Sequence, residues 1–362
     1  MSFHFASHFR SANVRLNICS RKVLQSWIRE MSTDFVASPV IVIGGAVRDL
    51  VARPNCGVPL LLGTSNKGCC IEADGGVGRN VAEVLAQLGC RPSLYTAIGD
   101  DERGKALMER FSMAGGVDCS RVVPEAATAT YLAVLNETGD LHTAIADMDV
   151  FSKIELPSRM SIINADYLVI DANLPFSILK EVLDICIANR VHVCFEPTSV
   201  PKAKAVVENV DILSKITFAF PNVDELLGMA DSIKTRSGKT NERRSHKTSN
   251  EIEEATTLLL NEMNERLSCL VVTMGEKGVL LATKEEAKAA VRTIPVDEKI
   301  NASDIANTTG AGDSFCGAFL AALMHGKNKE EAVKFGMKAA ILSLSTRECA
   351  ISPNVESLRS EL

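Results

Sequence analysis

Asn307-Thr308-Thr309-Gly310-Ala311-Gly312-Asp313 runs straight into Ser314-Phe315-Cys316-Gly317-Ala318-Phe319-Leu320-Ala321-Ala322-Leu323, a glycine-rich turn feeding a helix of small residues. Such a turn points several unpaired backbone N–H groups, and the positive end of the helix dipole, at one spot, which suits a phosphate. Asp313 has the wrong charge for holding that phosphate. It is better explained as a base that takes a proton from a hydroxyl attacking the phosphate, the logic of phosphoryl transfer to a small molecule.

Working outward, short β-rich apolar runs at 39–43, 93–98, 167–170, 192–195, 217–220 and 270–273 are separated by helix-like segments at 80–88, 104–113, 176–188, 250–265, 314–324 and 329–343. This alternation predicts an α/β fold with a mostly parallel sheet covered on both faces. Two segments, 58–73 and 128–148, break it, the second with a Glu137-Thr138-Gly139-Asp140 turn between runs that alternate like a hairpin. They could pair as a small separate sheet, a lid over the crevice at the carboxyl ends of the main strands, where ligands of open α/β sheets bind. The expected organisation is an N-terminal extension over 1–35 and one domain over 36–362. The lid segments fall near 55–74 and 125–149, and a polar loop insertion near 232–250.

Of the 362 residues 46% are hydrophobic and 23% charged, enough to bury a large core. The net charge of −6 provides no basic field for a nucleic acid. The 11 cysteines include no Cys-x-x-Cys, which argues for reduced thiols and against structural zinc or a disulfide framework. No run reaches the roughly 18 apolar residues that span a bilayer, so no membrane partner is expected. Arg10, Arg15, Arg21, Lys22 and Arg29 precede the first acid, Glu30, in the manner of an organelle presequence. The alternatives are a disordered tail or a start at Met31, so the expected location is cytoplasmic or mitochondrial. Gly238-Lys239-Thr240 resembles the end of a P-loop, but Ile233 stands where its first glycine is needed. A dinucleotide fingerprint fails in the same way at Phe315.

Gly75-Gly76-Val77-Gly78-Arg79-Asn80, Asn222-Val223-Asp224-Glu225, Thr273-Met274-Gly275-Glu276-Lys277-Gly278 and the run ending at Asp313 together closely resemble the PfkB family of carbohydrate and nucleoside kinases, over roughly residues 39–355. The resemblance implies a ribokinase-like three-layer sandwich with a small β-sheet lid. Within the family, Gly-Gly-Val-Gly-Arg-Asn, the 144–148 hairpin end, Asp171-Ala172-Asn173, Phe195-Glu196-Pro197 and Asn307 look most like pseudouridine kinases, which phosphorylate the 5′-hydroxyl with ATP. Other acceptors (ribose, fructose, adenosine) remain open, as does a non-catalytic nucleoside sensor.

The same resemblance implies roles for individual residues. Asp313 matches the catalytic base, and Gly310, Ala311 and Gly312 match the anion hole. Thr273, Gly275 and Gly278 match the segment along ATP, and Asn222 with Glu225 the motif that organises Mg²⁺ and phosphate, although a Pro-Asn turn capping a helix would look the same. On the acceptor side Asp49, Gly75, Gly76 and Asn80 match ribose contacts, the Asn80 amide accepting or donating as needed. Thr130, Asp147, Asp171 and Asn173 are further candidates. Arg48 has no assigned role. Asn307 stands where many members carry Asp near a monovalent cation, and a neutral oxygen there weakens K⁺ binding. An open lid edge leaves room for a homodimer.

Overall fold

The computed structural model describes residues 38–238, 248–263, 267–285, 288–297, 300–301, 304–346 and 350–362. The extension expected at 1–35 lies outside the described residues. The strands are β1 (Val40–Ile43), β2 (Val47–Pro54), β3 (Gly68–Gly75), β4 (Ser93–Tyr95), β5 (Ala97–Gly99), β6 (Val117–Asp118), β7 (Arg121–Val123), β8 (Thr130–Leu135), β9 (Leu141–Asp147), β10 (Tyr167–Asp171), β11 (His192–Glu196), β12 (Phe218–Ala219), β13 (Leu267–Thr273), β14 (Val279–Glu285) and β15 (Lys288–Ile294). The longer helices are α1 (Val77–Gln87), α2 (Glu102–Met113), α3 (Phe176–Asn189), α4 (Val200–Glu208), α5 (Val223–Arg236), α6 (Ser249–Glu262), α7 (Ala311–Met324) and α8 (Lys329–Leu344).

The main sheet runs β15-β14-β13-β12-β11-β10-β1-β4-β6, parallel from β13 through β6, with the β14–β15 hairpin antiparallel at one edge. Successive strand side chains point to opposite faces. Ile41 and Ile43 accordingly join the core under α3, α4, α5 and α6, while Val40 and Val42 join the core under α1, α2, α7 and α8. This is the three-layer sandwich expected. Helix α7 is buried from Asp313 through Ala322, which is why its sequence carries no polar face. All the parallel strands end on one edge. That edge therefore collects Gly44 and Gly45 after β1, Asp171, Glu196, Asn222 after β12, and Thr273.

A four-stranded sheet, β3-β2-β8-β9, stands apart from the main one. Its central pair, β2 and β8, is parallel, and the outer pairs are antiparallel. The segments of β3, β8 and β9 fall in the two lid stretches expected from the sequence, whereas β2, which begins two residues after the Gly44-Gly45 turn, lies before them.

Some boundaries differ from expectation. The run 93–98 is two strands: β1 ends opposite Tyr95, and from Ala97 the chain pairs with β7 instead. The polar stretch from 232 begins as helix, because α5 continues to Arg236 before a Gly238 turn, and residues 239–247 lie outside the described residues. The β14–β15 hairpin is a further addition: β14 is buried from Val279 through Ala282, while β15 is the sheet edge, exposed from Ala289 through Thr293, and shows no apolar alternation.

Candidate active site

Two glycine turns are pressed together at the centre of the carboxyl edge. The Asp171 carboxylate lies between them, its Oδ2 accepting from the amides of Gly45 at 2.8 Å and Gly78 at 3.0 Å, and its Oδ1 accepting from the Asn173 amide at 3.0 Å. A Cβ on Gly44 would sit 2.5 Å from Asp171 Oδ2, and one on Gly78 2.7 Å from the Gly44 Cα. Only glycine permits this approach. Asp171, a candidate acceptor contact in the sequence, has its side chain buried in this structure, where it ties the β1 turn to the start of α1.

That knot sets α1 beside α7, where Gly317 lets the helices close onto Val84. Asn80 thereby meets Asp313, its Nδ2 donating to Asp313 Oδ2 at 2.7 Å. Asp313 is buried in the first turn of α7. Burial pushes its carboxyl up to about 6, the Asn80 hydrogen bond and nearby Arg79 opposing this while Asp171 and Glu225 add to it. Ahead of it Gly310 adopts φ 80°, and a Cβ there would strike the Ala350 carbonyl at 2.2 Å. Gly312 is different. A Cβ on it would meet nothing within 4 Å, so its glycine keeps open space rather than relieving a clash. The amides of Ala311, Gly312 and Asp313 have no acceptor among the described residues, which leaves three donors at the positive end of a buried helix. Asn307 shapes the approach by accepting from the Thr309 amide at 2.9 Å.

Asn222 and Glu225 form a reciprocal cap on α5: Asn222 Oδ1 accepts from the Glu225 amide at 3.0 Å, and Glu225 Oε2 from the Asn222 amide at 2.9 Å. The capping alternative is thus what the free chain shows, and it leaves Glu225 Oε1 and Asn222 Nδ2 for a ligand. Asn222 also bridges to Thr273, and a cavity of about 320 Å³ opens there, lined among others by Asn222, Ile252, Thr273, Gly275 and Lys277. Gly278 lies apart from it, its φ of 88° closing the turn beneath the Ile294 carbonyl. Asn222→Ala should cost about 1 kcal/mol of stability from the lost cap. Asn222→Ser, which keeps a capping oxygen, should restore the thermal midpoint while leaving the KM for ATP raised. If the serine variant also restored that KM, the amide would have no part in binding.

On the small sheet, Arg48 pairs with Glu72 at 2.9 Å and with Asp74, and Arg110 of α2 donates to Asp74 at 2.7 Å. Arg48 thus ties β2 to β3, and Asp74 ties both to the main body. The register aligns Arg48 with Thr130, and Thr130 with Asp147. Those three share one face, and Asp49, one residue on, occupies the other. Thr130 and Asp147 are consequently not brought together with Asp49. Asp49 lies over Gly75, where a Cβ would be 2.0 Å from its Oδ2, and burial pushes its carboxyl up to about 6, opposed by Arg79. Gly76, at φ 91°, backs onto the Gly45 carbonyl.

Two charged groups of this edge have no role assigned from the sequence: Glu196, which stands there only as part of a motif, and Lys202. Glu196 ends β11 in register with Asp171, buried, its Oε2 accepting from the Thr198 amide at 2.7 Å. Burial, then the carboxylates of Asp313 and Glu225, raise it well above the usual range. Lys202, at the start of α4, donates to Asn173 Oδ1 and lies close to Asp171 and Glu196, with burial lowering its pKa. A Pro197-Thr198-Ser199 turn before the helix was the available signal, but nothing in it said which strand end the lysine would reach.

Among the described residues no group of three His, Cys, Asp or Glu side chains converges as a metal cage. An edge rich in mutually repelling carboxylates nevertheless fits Mg²⁺, which keeps its waters and binds beside phosphates through one or two carboxylates. Glu225, through its free Oε1, would hold it, and the Asn222 side-chain nitrogen, a donor, would meet a phosphate oxygen rather than the metal. No helix of the described residues is long and apolar enough to cross a membrane.

The family model described as pfkB family carbohydrate kinase matches residues 40–356. The pseudouridine kinase of Escherichia coli (strain K12) is 28% identical over 317 residues, covering 84% of this chain and 90% of that protein. The guanosine-inosine kinase of Exiguobacterium acetylicum is 27% identical, covering 87% of this chain and 97% of that protein. Among solved structures, Arabidopsis thaliana ribokinase complexed with ribose and ATP superimposes with a TM-score of 0.69 at 20% identity, over 90% of this chain and 100% of that one.

Proposed function

The chain belongs to the PfkB family of carbohydrate kinases, and we propose that it phosphorylates the 5′-hydroxyl of pseudouridine, with ATP as donor. The observation that carries the chemistry is the meeting of Asp313, Asn80 and the unpaired amides of 311–313 at one point of the carboxyl edge. The choice of acceptor is supported by similarity to a pseudouridine kinase and by Asp49 lying over Gly75, where a ribose diol would find a carboxylate acceptor and a bare backbone.

In this reading Asp313 accepts the proton of the attacking hydroxyl, and the amides of Ala311, Gly312 and Asp313 hold the phosphoryl oxygens as charge spreads over them. A hydroxyl donating to Asp313 finds one carboxylate oxygen already fixed by Asn80, so the other points the nucleophile. Asn80 is not a versatile ribose contact, since its oxygen faces Arg79 and its nitrogen faces Asp313. Thr273 and Gly275 line the cavity assigned to ATP, and Lys202, held by Asn173, adds positive charge on the acceptor side. Mg²⁺, when bound, would neutralise phosphate charge beside Glu225. The small sheet is read as a lid that excludes water when the acceptor is in place.

A panel of pseudouridine, uridine, guanosine, inosine, adenosine, ribose and fructose with labelled ATP tests the acceptor. Pseudouridine should give the highest kcat/KM, and uridine, with nitrogen in place of carbon at the glycosidic link, should be poorer. A preference for inosine or guanosine would instead favour the reading suggested by the purine nucleoside kinase relative. Nucleoside binding with no product from any of the seven would leave a sensor. Asp49→Asn should raise the acceptor KM roughly tenfold, since a hydrogen bond to a charged group contributes about 1.5–3 kcal/mol, and an unchanged KM would remove Asp49 from the pocket.

A further inference from the structure

The largest of the fully buried side chains is a cation that the reaction scheme above leaves unused: Arg79, 1% exposed. Its Nε donates to the Gly75 carbonyl at 2.9 Å, one terminal nitrogen donates to the Asp74 carbonyl at 3.0 Å and also to Asn80 Oδ1, and the other pairs with Glu83. Arginine offers only donors, so an amide beside it must present its oxygen. With the Asn80 oxygen turned to Arg79, its nitrogen is turned to Asp313. A flipped amide would set donor against donor on one side and carbonyl against carboxylate on the other.

We propose that Arg79 is a positioning residue for phosphoryl transfer, locking the Asn80 amide in the orientation that donates to Asp313. The inference rests on Asp313 being the base. Around Asp313 stand Asn80 and Arg79 from α1, Asp171 from β10, Glu196 from β11 and Glu225 from α5. In that acidic company a loose amide leaves Asp313 free to turn toward another donor and away from the acceptor hydroxyl. Arg79 also reaches the carbonyls of Asp74 and Gly75, so the chain of bonds runs from the end of β3 to the base.

The test is a double-mutant cycle on kcat at saturating acceptor and ATP, with Arg79→Met, Asn80→Ala and their combination. Arg79→Met alone should lower kcat about tenfold, the effect of one well-placed hydrogen bond. In the Asn80→Ala background the same change should cost less than about twofold, because the relay is already cut. Arg79→Lys keeps the charge but cannot serve Asn80 and both carbonyls at once. It should behave like Arg79→Met in both backgrounds, and it carries the test should the methionine variant fail to fold. Glu83→Gln, which changes only the outer ion pair, should stay within about twofold of wild type. Equal losses in the two backgrounds, or a Glu83→Gln loss as large as that of Arg79→Met, overturn the proposal. Asp313→Asn is assayed alongside: if it were inactive while the cycle came out additive, only the relay would fall. If it kept normal turnover, the base assignment would fall and take the relay with it.

Discussion

Asp313→Asn should lower kcat by roughly 10²–10⁴, the range expected when a general base is removed, while the protein remains folded and binds both substrates. The substitution keeps the shape and an oxygen for Asn80, so the loss reads the proton transfer rather than the architecture. Turnover within a few-fold of wild type would eliminate this carboxylate as the base. The pH dependence carries a second signature. The Asp313 carboxyl titrates near 6, so kcat/KM should rise as pH increases through about 6 and level off above it, and Asp313→Asn should lack that limb. Stability should move the other way. The folded value lies above that of an unfolded aspartate, so the native state binds the proton more tightly, and stability is lost as pH rises from about 4 to about 6. At neutral pH the asparagine variant, relieved of a buried charge among Asp171, Glu196 and Glu225, should melt no lower than wild type. A variant that melted well below wild type would show Asp313 to be a structural group.

Asp171→Ala should be a folding variant. It strands the buried amides of Gly45 and Gly78, each unmet donor costing roughly 1–3 kcal/mol, against a total stability of about 5–15 kcal/mol for a domain. Relief of repulsion within the acidic group offsets part of this. Asp171→Asn, which retains an acceptor oxygen, should lose less. Denaturant unfolding measures both, and an Asp171→Ala protein of wild-type stability with a raised acceptor KM would return Asp171 to the role of substrate contact.

Much of the architecture was readable because the buried parallel strands and the helices between them repeat a pattern that propensity and burial enforce together. The apolar runs of β1, β10, β11 and β13 could hardly be anything else. Legibility failed where a residue's meaning depended on its partner across the fold. Asn222 and Glu225 read equally as a cap and as a metal motif, because the same three-residue spacing serves both, and the free chain uses it as a cap. Thr130 and Asp147 are, like Asp49, candidate acceptor contacts in the sequence, but only the register of β2 on β8 shows that they share a face of the sheet opposite to that of Asp49. Lys202 sits behind a recognisable turn, but nothing local names its partner, since its reach to Asn173 spans two strand ends.

The sequence alone determined that a glycine turn opens a helix with an acid in its first turn, because local geometry and composition decide that within seven residues. Which groups would surround that acid was decided by tertiary structure. Asp171, 142 positions away, clamps two glycine turns and so carries Asn80 to within 2.7 Å of a residue 233 positions along the chain. Side chains so far apart in sequence have no shared local signal, and only packing brings them into contact.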